Sequence, residues 1–378
     1  MNKIIFDIGT LSTKFNFISM ETPYVITSST EYHETFNINN NVENMIKFYT
    51  KFPDIDPDRP YGSGTFIAHN QIIDKNKYSD FFGYCFNFLH CDPTEQKVAI
   101  LVPPIDQQNF RKTTMAILFE NYACQSLQLD DQSIFSYCKH VKSGTFLTVM
   151  SGFTDTYIVP CVKFHPLENC TQHLPFGGYH VTKYIADSIA EKNKNRIDLI
   201  RNDLMWIAER IKQNSRRIHR YDNFDIHDVK CSIRISQRKE TNPISGKVVD
   251  LRIGHEFYLT PELVLAPEMM NKEEFEYTLP MYIDEIIRAT PKEYHRRLYK
   301  NITLTGAPMI VKEIKERIHA EMKILANSLS NDPNEEYSTK VRCSSPERNA
   351  YDNARLVYQK PAPEITHAQY FEEGAFLV

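Results

Sequence analysis

The chain has 378 residues, 42% of them apolar and 24% charged, with a formal charge of −4. At about 100–200 residues per domain this length implies two domains or one large bilobed body, and without an apolar run of about 18 residues a membrane span is excluded. The slight acidity gives no general reason to bind nucleic acid or anionic lipid, and an N-terminus that turns acidic at Asp7 resembles no export signal, so an intracellular protein is expected.

Taken in order, residues 3–8 and 13–18 read as two short strands joined by a turn at Gly9-Thr10-Leu11-Ser12. An apolar strand follows at 97–103 and stops at Pro103-Pro104. From Asp106 to Tyr122 the apolar residues fall at helical spacing, and 131–140 reads as helix again. A second apolar pair, 145–150 and 155–161, is joined by Ser151-Gly152-Phe153-Thr154, so the opening hairpin is repeated in style. Helices are expected at 179–191 and 196–219, and a polar strand-like region at 228–258 turns at Pro243-Ile244-Ser245-Gly246. A helix at 279–289 and a strand at 301–305 lead through Gly306-Ala307-Pro308 into a helix at 310–326. The polar stretch 328–338 reads as a loop, and no segment repeats with a period of 20–50 residues. The order of elements predicts a compact α/β fold.

Glycine is scarce: 12 residues, about 3% against a usual level near 7%, so any Gly-rich phosphate site here is a reduced one. The eight cysteines include no C-x-x-C pair, and the 13 histidines no metal-ligand spacing, so neither zinc nor a disulfide framework is expected.

Two hairpins about 140 residues apart, each with a tight polar turn, suggest related lobes facing one another across a cleft, both turns offering N–H groups to one polyphosphate. Gly9, Thr10, Ser151 and Gly152 are the turn candidates, and Gly306 marks a third strand-glycine-helix junction of the kind that aims backbone at phosphate. Asp7, ending the first strand, is a candidate to hold hydrated Mg²⁺, which keeps its waters and is gripped through few carboxylates. Lys14, an outlier in an apolar strand, could reach a phosphate as a point charge. Taken singly, a D-x-G turn is common and a strand lysine faces solvent; only their combination points to a nucleotide.

These residues, with several longer stretches, resemble the actin and actin-related protein family. Asp7, Gly9, Thr10 and Lys14 recur at the spacing of the family's first phosphate loop, and 92–122, with Arg111 and Phe119-Glu120, is similar to its P-x-E…R…F-E stretch. By the same register Gln132 falls where the family places a glutamine that orients the attacking water, and Ile211-Lys212-Gln213 where a segment lines the adenosine pocket. Pro175 to Thr182 matches the A-G-x-D-L-T segment in position but lacks its acid. Glu256-Phe257, Pro261-Glu262 and Arg296-Arg297-Leu298-Tyr299-Lys300-Asn301 resemble its E-x-F-x-x-P-E and R-R-x-L-Y-K-N signatures most closely. The resemblance covers nearly the whole chain. It implies an α/β, actin-like ATPase fold, a duplicated ribonuclease H-like architecture with two lobes around a nucleotide cleft. Residues 1–141 with 327–378 would form the small lobe (subdomains 1 and 2), and 142–326 the large lobe (subdomains 3 and 4).

The departures from the pattern concern chemistry. The second phosphate loop should read D-S-G-D-G, yet here it is Met150-Ser151-Gly152-Phe153-Thr154: both acids are gone, and the last glycine is β-branched. Tyr157 stands where a proton-relaying histidine is expected, and a phenol of ordinary pKa about 10 is a poor base. Ala307-Pro308 adds bulk and removes a donor at the third loop. ATP or ADP with Mg²⁺ is therefore expected to bind with slow or absent hydrolysis, at most a weak ATPase. Within the family, 254–306 looks most like the branch that serves in an actin-nucleating, filament-branching complex, which implies other complex subunits and actin as partners in the cytoplasm and cytoskeleton. The alternative is a scaffold subunit of dynactin or of a chromatin-remodelling complex in the nucleus, nucleotide-free in the extreme case. A sugar or acetate kinase of the same superfold fits less well, since no general-base aspartate sits in a Gly-rich substrate loop.

Overall fold

The computed structural model describes residues 3–28, 65–69, 71–104, 107–137, 141, 143–194, 201–214, 235–242, 246–270, 275–328, 337–343 and 347–373. Most of residues 28–64, a polar stretch with Pro53, Pro57 and Pro60, residues 216–220 with their run of basic side chains, residues 271–274 and most of the expected loop 328–338 lie outside the described residues.

The opening hairpin forms as expected from β1 (Lys3–Ile8) and β2 (Ser12–Phe17), with β3 (Tyr24–Thr27) beside it. A two-strand hairpin, β4 (Ile67–Ala68) and β5 (Gln71–Ile72), precedes helix α1 (Lys75–Phe88). β6 (Lys97–Val102), α2 (Gln107–Ala116) and β7 (Ser126–Asp131) complete this part, α2 running into a π-helical turn at Ile117–Asn121. The second half opens with β8 (Phe146–Ser151), β9 (Thr156–Val162), β10 (His165–Pro166) and β11 (Gln172–Leu174). Helices α3 (Gly178–Lys192) and α4 (Arg201–Asn214), the hairpin β12 (Ser236–Thr241) and β13 (Val248–Ile253), and helices α5 (Glu256–Leu265), α6 (Leu279–Ala289) and α7 (Lys292–Lys300) follow. β14 (Ile302–Thr305), α8 (Lys312–Asn327), β15 (Val341–Arg342), α9 (Asn349–Val357), β16 (Ile365–Thr366) and α10 (His367–Glu373) close the described chain.

Two mixed sheets carry the fold. The first has the order β16-β7-β6-β1-β2-β3 and the second β10-β9-β8-β14-β15, with β11 also on β9. In each, a leading strand pairs antiparallel with the next strand in the chain and parallel with a later one: β1 with β2 and β6, β8 with β9 and β14. Each parallel strand is followed by another, β7 or β15. The same motif is thus built twice.

The leading strands are buried at every residue because both of their faces are covered. Ile4, Phe6 and Ile8 face a cluster that includes Phe81, Phe82 and Phe86 of α1, while Ile5 faces Ala350, Tyr351 and Ala354 of α9. In the second sheet Leu147 and Val149 join the large core made with α3 to α8, and Phe146 and Met150 turn to a smaller cluster with Tyr157, Val159 and Cys161.

Two expectations need correction, and one helix was not expected. The described part of 131–140 is not an α-helix: Asp131 ends β7, and a single 3-10 turn spans Gln132–Phe135, with Ser133 N donating to the Asp131 carboxylate at 2.7 Å; 138–140 lie outside the described residues. In the region 228–258, the described strands Ser236–Thr241 and Val248–Ile253 form a hairpin, 228–234 and 243–245 lie outside the described residues, and Glu256 opens α5, which tolerates Pro261 near its middle. Helix α1 went unread because seven of its fourteen residues are aromatic or cysteine, although Asp74 caps it by accepting from Lys77 N at 3.0 Å. Cys85, Cys124 and Cys161 are buried and unpaired with one another, and burial pushes the Cys124 thiol up to about 12. Among the described residues no helix is long and apolar enough to cross a membrane.

Candidate functional site

The turn after β1 and the turn after β8 face each other, and between them opens a cavity of about 330 Å³. The nine candidate residues, Asp7, Gly9, Thr10, Lys14, Gln132, Ser151, Gly152, Lys212 and Gly306, all line it. The first hairpin supplies Asp7, Gly9, Thr10 and Lys14, the second Ser151 and Gly152, and the residue after β14 supplies Gly306, while Gln132 follows β7 and Lys212 lies on α4.

The two turns touch. Thr10 Oγ1 and Thr154 Oγ1 lie 3.1 Å apart, a buried hydrogen bond between the halves. The glycine N–H groups expected to meet a polyphosphate instead close their own turns: Gly9 N donates to Ser12 O at 3.1 Å and Gly152 N to Asp155 O at 2.8 Å. The start of α3 is likewise engaged, Gly178 N donating to Gly152 O and Tyr179 N to Phe153 O. A Cβ at Gly177 would lie 2.7 Å from the Gly152 and Phe153 carbonyl oxygens, so only glycine admits this contact. Gly306 is more constrained: its φ of +98° suits glycine, and a Cβ there would stand 1.8 Å from Ser151 O.

Charge in the cleft is arranged in pairs. Asp7 accepts from Lys14 Nζ at 3.1 Å and from Gln132 Nε2 at 2.6 Å, so both carboxylate oxygens are engaged. Lys212 Nζ pairs with Glu209 at 2.6 Å, donates to Thr182 Oγ1 and Gly178 O, and sits 5.7 Å from the Phe153 ring centroid. The residues that replace the expected acid and histidine, Met150 and Tyr157, are opposite each other in the β8/β9 register and are both buried, forming an apolar floor.

Sequence reading missed Asp155. It lines the cleft, is 1% exposed, and its Oδ1 is met by His173 Nε2 at 2.7 Å and His69 Nδ1 at 3.2 Å. Oδ2 is buried without a hydrogen-bond partner. Burial opposes the charge, but the two imidazoles and the Thr154 hydroxyl overcome it and hold the carboxyl down at about 2. The same contact raises His69, against the opposing effect of burial. The signal was an acid placed directly after the turn, where it read as the first residue of a strand. Neither histidine is near it in sequence.

The stretches that most resemble a known family are scaffold. Glu256 is fully buried, accepts from Lys192 Nζ at 2.6 Å and from Gly254 N at 2.8 Å, and ties α3 to α5. Glu262 pairs with Arg317 of α8, Tyr299 O–H donates to Asp284 at 2.6 Å, and the Arg296 guanidinium lies over Tyr337. Arg111 donates to Leu129 O and Gln107 Oε1, away from the cleft lining. Among the described residues no cluster of three histidine, cysteine or acidic side chains could hold a metal ion alone.

A family model described as Actin matches residues 1–241. The chain is 22% identical over 335 residues to actin-related protein 3 of Dictyostelium discoideum, a match covering 85% of this chain and 79% of that protein. It is 24% identical over 267 residues to actin-related protein 3 of Acanthamoeba castellanii, covering 68% and 62%. It is 23% identical over 273 residues to actin-related protein 3 of Schizosaccharomyces pombe, covering 68% and 60%. The chain thus spans about three-fifths of the length of the last two relatives.

Proposed function

The chain belongs to the actin family, and from that premise we propose that it acts as a divergent actin-related subunit of the actin-related protein 2/3 complex, contributing an actin-like face to filament nucleation and branching. The observation that carries the reading is the doubled strand motif with its two turns meeting over one cleft, taken with relatives that bear the name actin-related protein 3 over most of this chain.

We further propose that the cleft holds an adenine nucleotide and hydrolyses it slowly or not at all. The cavity volume suits a nucleoside, and Gly177 and Gly306 let the backbone around it pack closely against Ser151, Gly152 and Phe153. Lys212, Glu209 and Gln213 would hold the nucleoside end, Lys14 and the Thr10 turn a phosphate, and Asp7 with Gln132 a hydrated Mg²⁺ that neutralises phosphate charge when bound. Two observations favour slow chemistry: the Gln132 amide is committed to Asp7, and Met150 and Tyr157 give an apolar pair where a base would be needed.

Purification of the endogenous assembly, with its subunits identified by mass spectrometry, tests the first part. A small set of nucleation subunits is expected; recovery of dynein-adaptor subunits or a remodelling ATPase would replace it with the scaffold alternative. Thermal shift with adenine nucleotides tests the second, and no stabilisation at millimolar ligand would reject it.

A further inference from the structure

The wall of the cleft carries two cations among its described residues, Lys14 and Lys212, and each is already in an ion pair, with Asp7 and with Glu209. The remaining charged lining groups are Asp155 and Glu347, both acidic. A polyphosphate entering between the turns gains no uncompensated cation, and the Asp155 carboxylate behind the second turn is buried and held by His69 and His173. The polyphosphate must also part the Thr10 and Thr154 hydroxyls, which stand 3.1 Å apart.

Asp155 is the sharpest of these features. His69 and His173 both address Oδ1, which leaves Oδ2 as a buried acceptor with no donor. An orphan acceptor is stabilised by an N–H, an O–H or a cation, and destabilised by the acceptor-only oxygens of phosphate. The acids that the family pattern places at 150 and 153 are lost, and one acid has been placed two residues beyond them, in a protein cage rather than at an open loop.

We propose that Asp155 is a specificity-determining residue that makes this cleft select for the nucleoside end of its ligand and against the terminal phosphate, so that adenosine and ADP bind as tightly as ATP or more tightly. The inference rests on the nucleotide reading of the cleft and names its ligand class. Its geometric basis is the closed pair of turns and the buried, half-satisfied carboxylate between them and β9.

Isothermal titration of the full-length protein, in its native assembly, with adenosine, ADP and ATP, each with and without Mg²⁺, decides it. The expected order has ATP no tighter than ADP in either condition. Asp155→Asn should tighten ATP by about tenfold, the size of one nearby charge at a partly wet site, while leaving adenosine unchanged. ATP binding more tightly than ADP, or a Mg²⁺-dependent gain for ATP that Asp155→Asn abolishes, would overturn the inference while the nucleotide reading stood. An unchanged ATP-to-ADP ratio in Asp155→Asn would do the same. No binding by any of the three would overturn both. Should Asp155→Asn fail to fold, Asp155→Ser supplies the charge-removing comparison with the same expected and overturning outcomes.

Discussion

The hydroxyl of Thr10 meets the hydroxyl of Thr154 at 3.1 Å, a single short contact joining two turns that lie 144 residues apart in the chain. Both side chains are buried, and they sit one position out of step in corresponding turns of a motif built twice.

Thr154→Ala should therefore cost about 1–2 kcal/mol, since it removes one buried hydrogen bond and leaves the Thr10 hydroxyl to find another partner. Hydrogen exchange should accelerate at 9–12 and 151–156 before it does so elsewhere in either sheet. Unchanged exchange in both turns would show that the bridge holds nothing.

His69 gives stability a pH signature. Its folded pKa is raised above 6.5, chiefly by the hydrogen bond to Asp155. A raised histidine stabilises below its unfolded pKa, and that contribution fades as pH rises through the folded value. His69→Gln should lose more stability at pH 5.5 than at pH 8 in urea unfolding. Asp155 behaves in the opposite sense: with a folded pKa of about 2 against about 3.9 unfolded, its contribution is present above the unfolded value and disappears as pH falls from about 4 toward 2.

Gly306→Ala should be severely destabilising, by about 3 kcal/mol or more, because it combines a strained φ with a Cβ driven into the Ser151 carbonyl. Gly246 has φ of +69° but open space around it, so Gly246→Ala should cost about 1 kcal/mol. Equal melting temperatures for the two variants would contradict the close approach of the backbones at 151 and 306.

Lys3 is 2% exposed and is held by Glu364 at 2.6 Å, by Gln128, and by the face of Tyr358. Glu364→Ala strands that buried ammonium and should cost about 3–5 kcal/mol. Glu364→Gln keeps a partner for Lys3 and should cost less, a difference visible in the denaturant midpoint.

The backbone was legible wherever one local rule acted alone. The hairpin at 3–17, the pair at 146–162 and helix Leu279–Ala289 follow from apolar runs and turn residues. Helix α1 and helix α5 were missed because aromatic content and Pro261 argue locally against helix, while packing into the cores decides for it. In the site, the nine residues carry recognisable types at recognisable spacing and do converge. Asp155, His69 and His173 were invisible because β9, β11 and the β4/β5 turn come together only in three dimensions.

The strand Ile365–Thr366 binds the outer edge of β7, although roughly 230 residues separate them. During synthesis at about 5–20 residues per second, that edge waits on the order of ten seconds to a minute for its natural neighbour. A bare strand margin is a template for mispairing with another nascent copy, so the protein's yield in a cell should depend on how fast the segment carrying Ile365 emerges and on what shields the edge meanwhile.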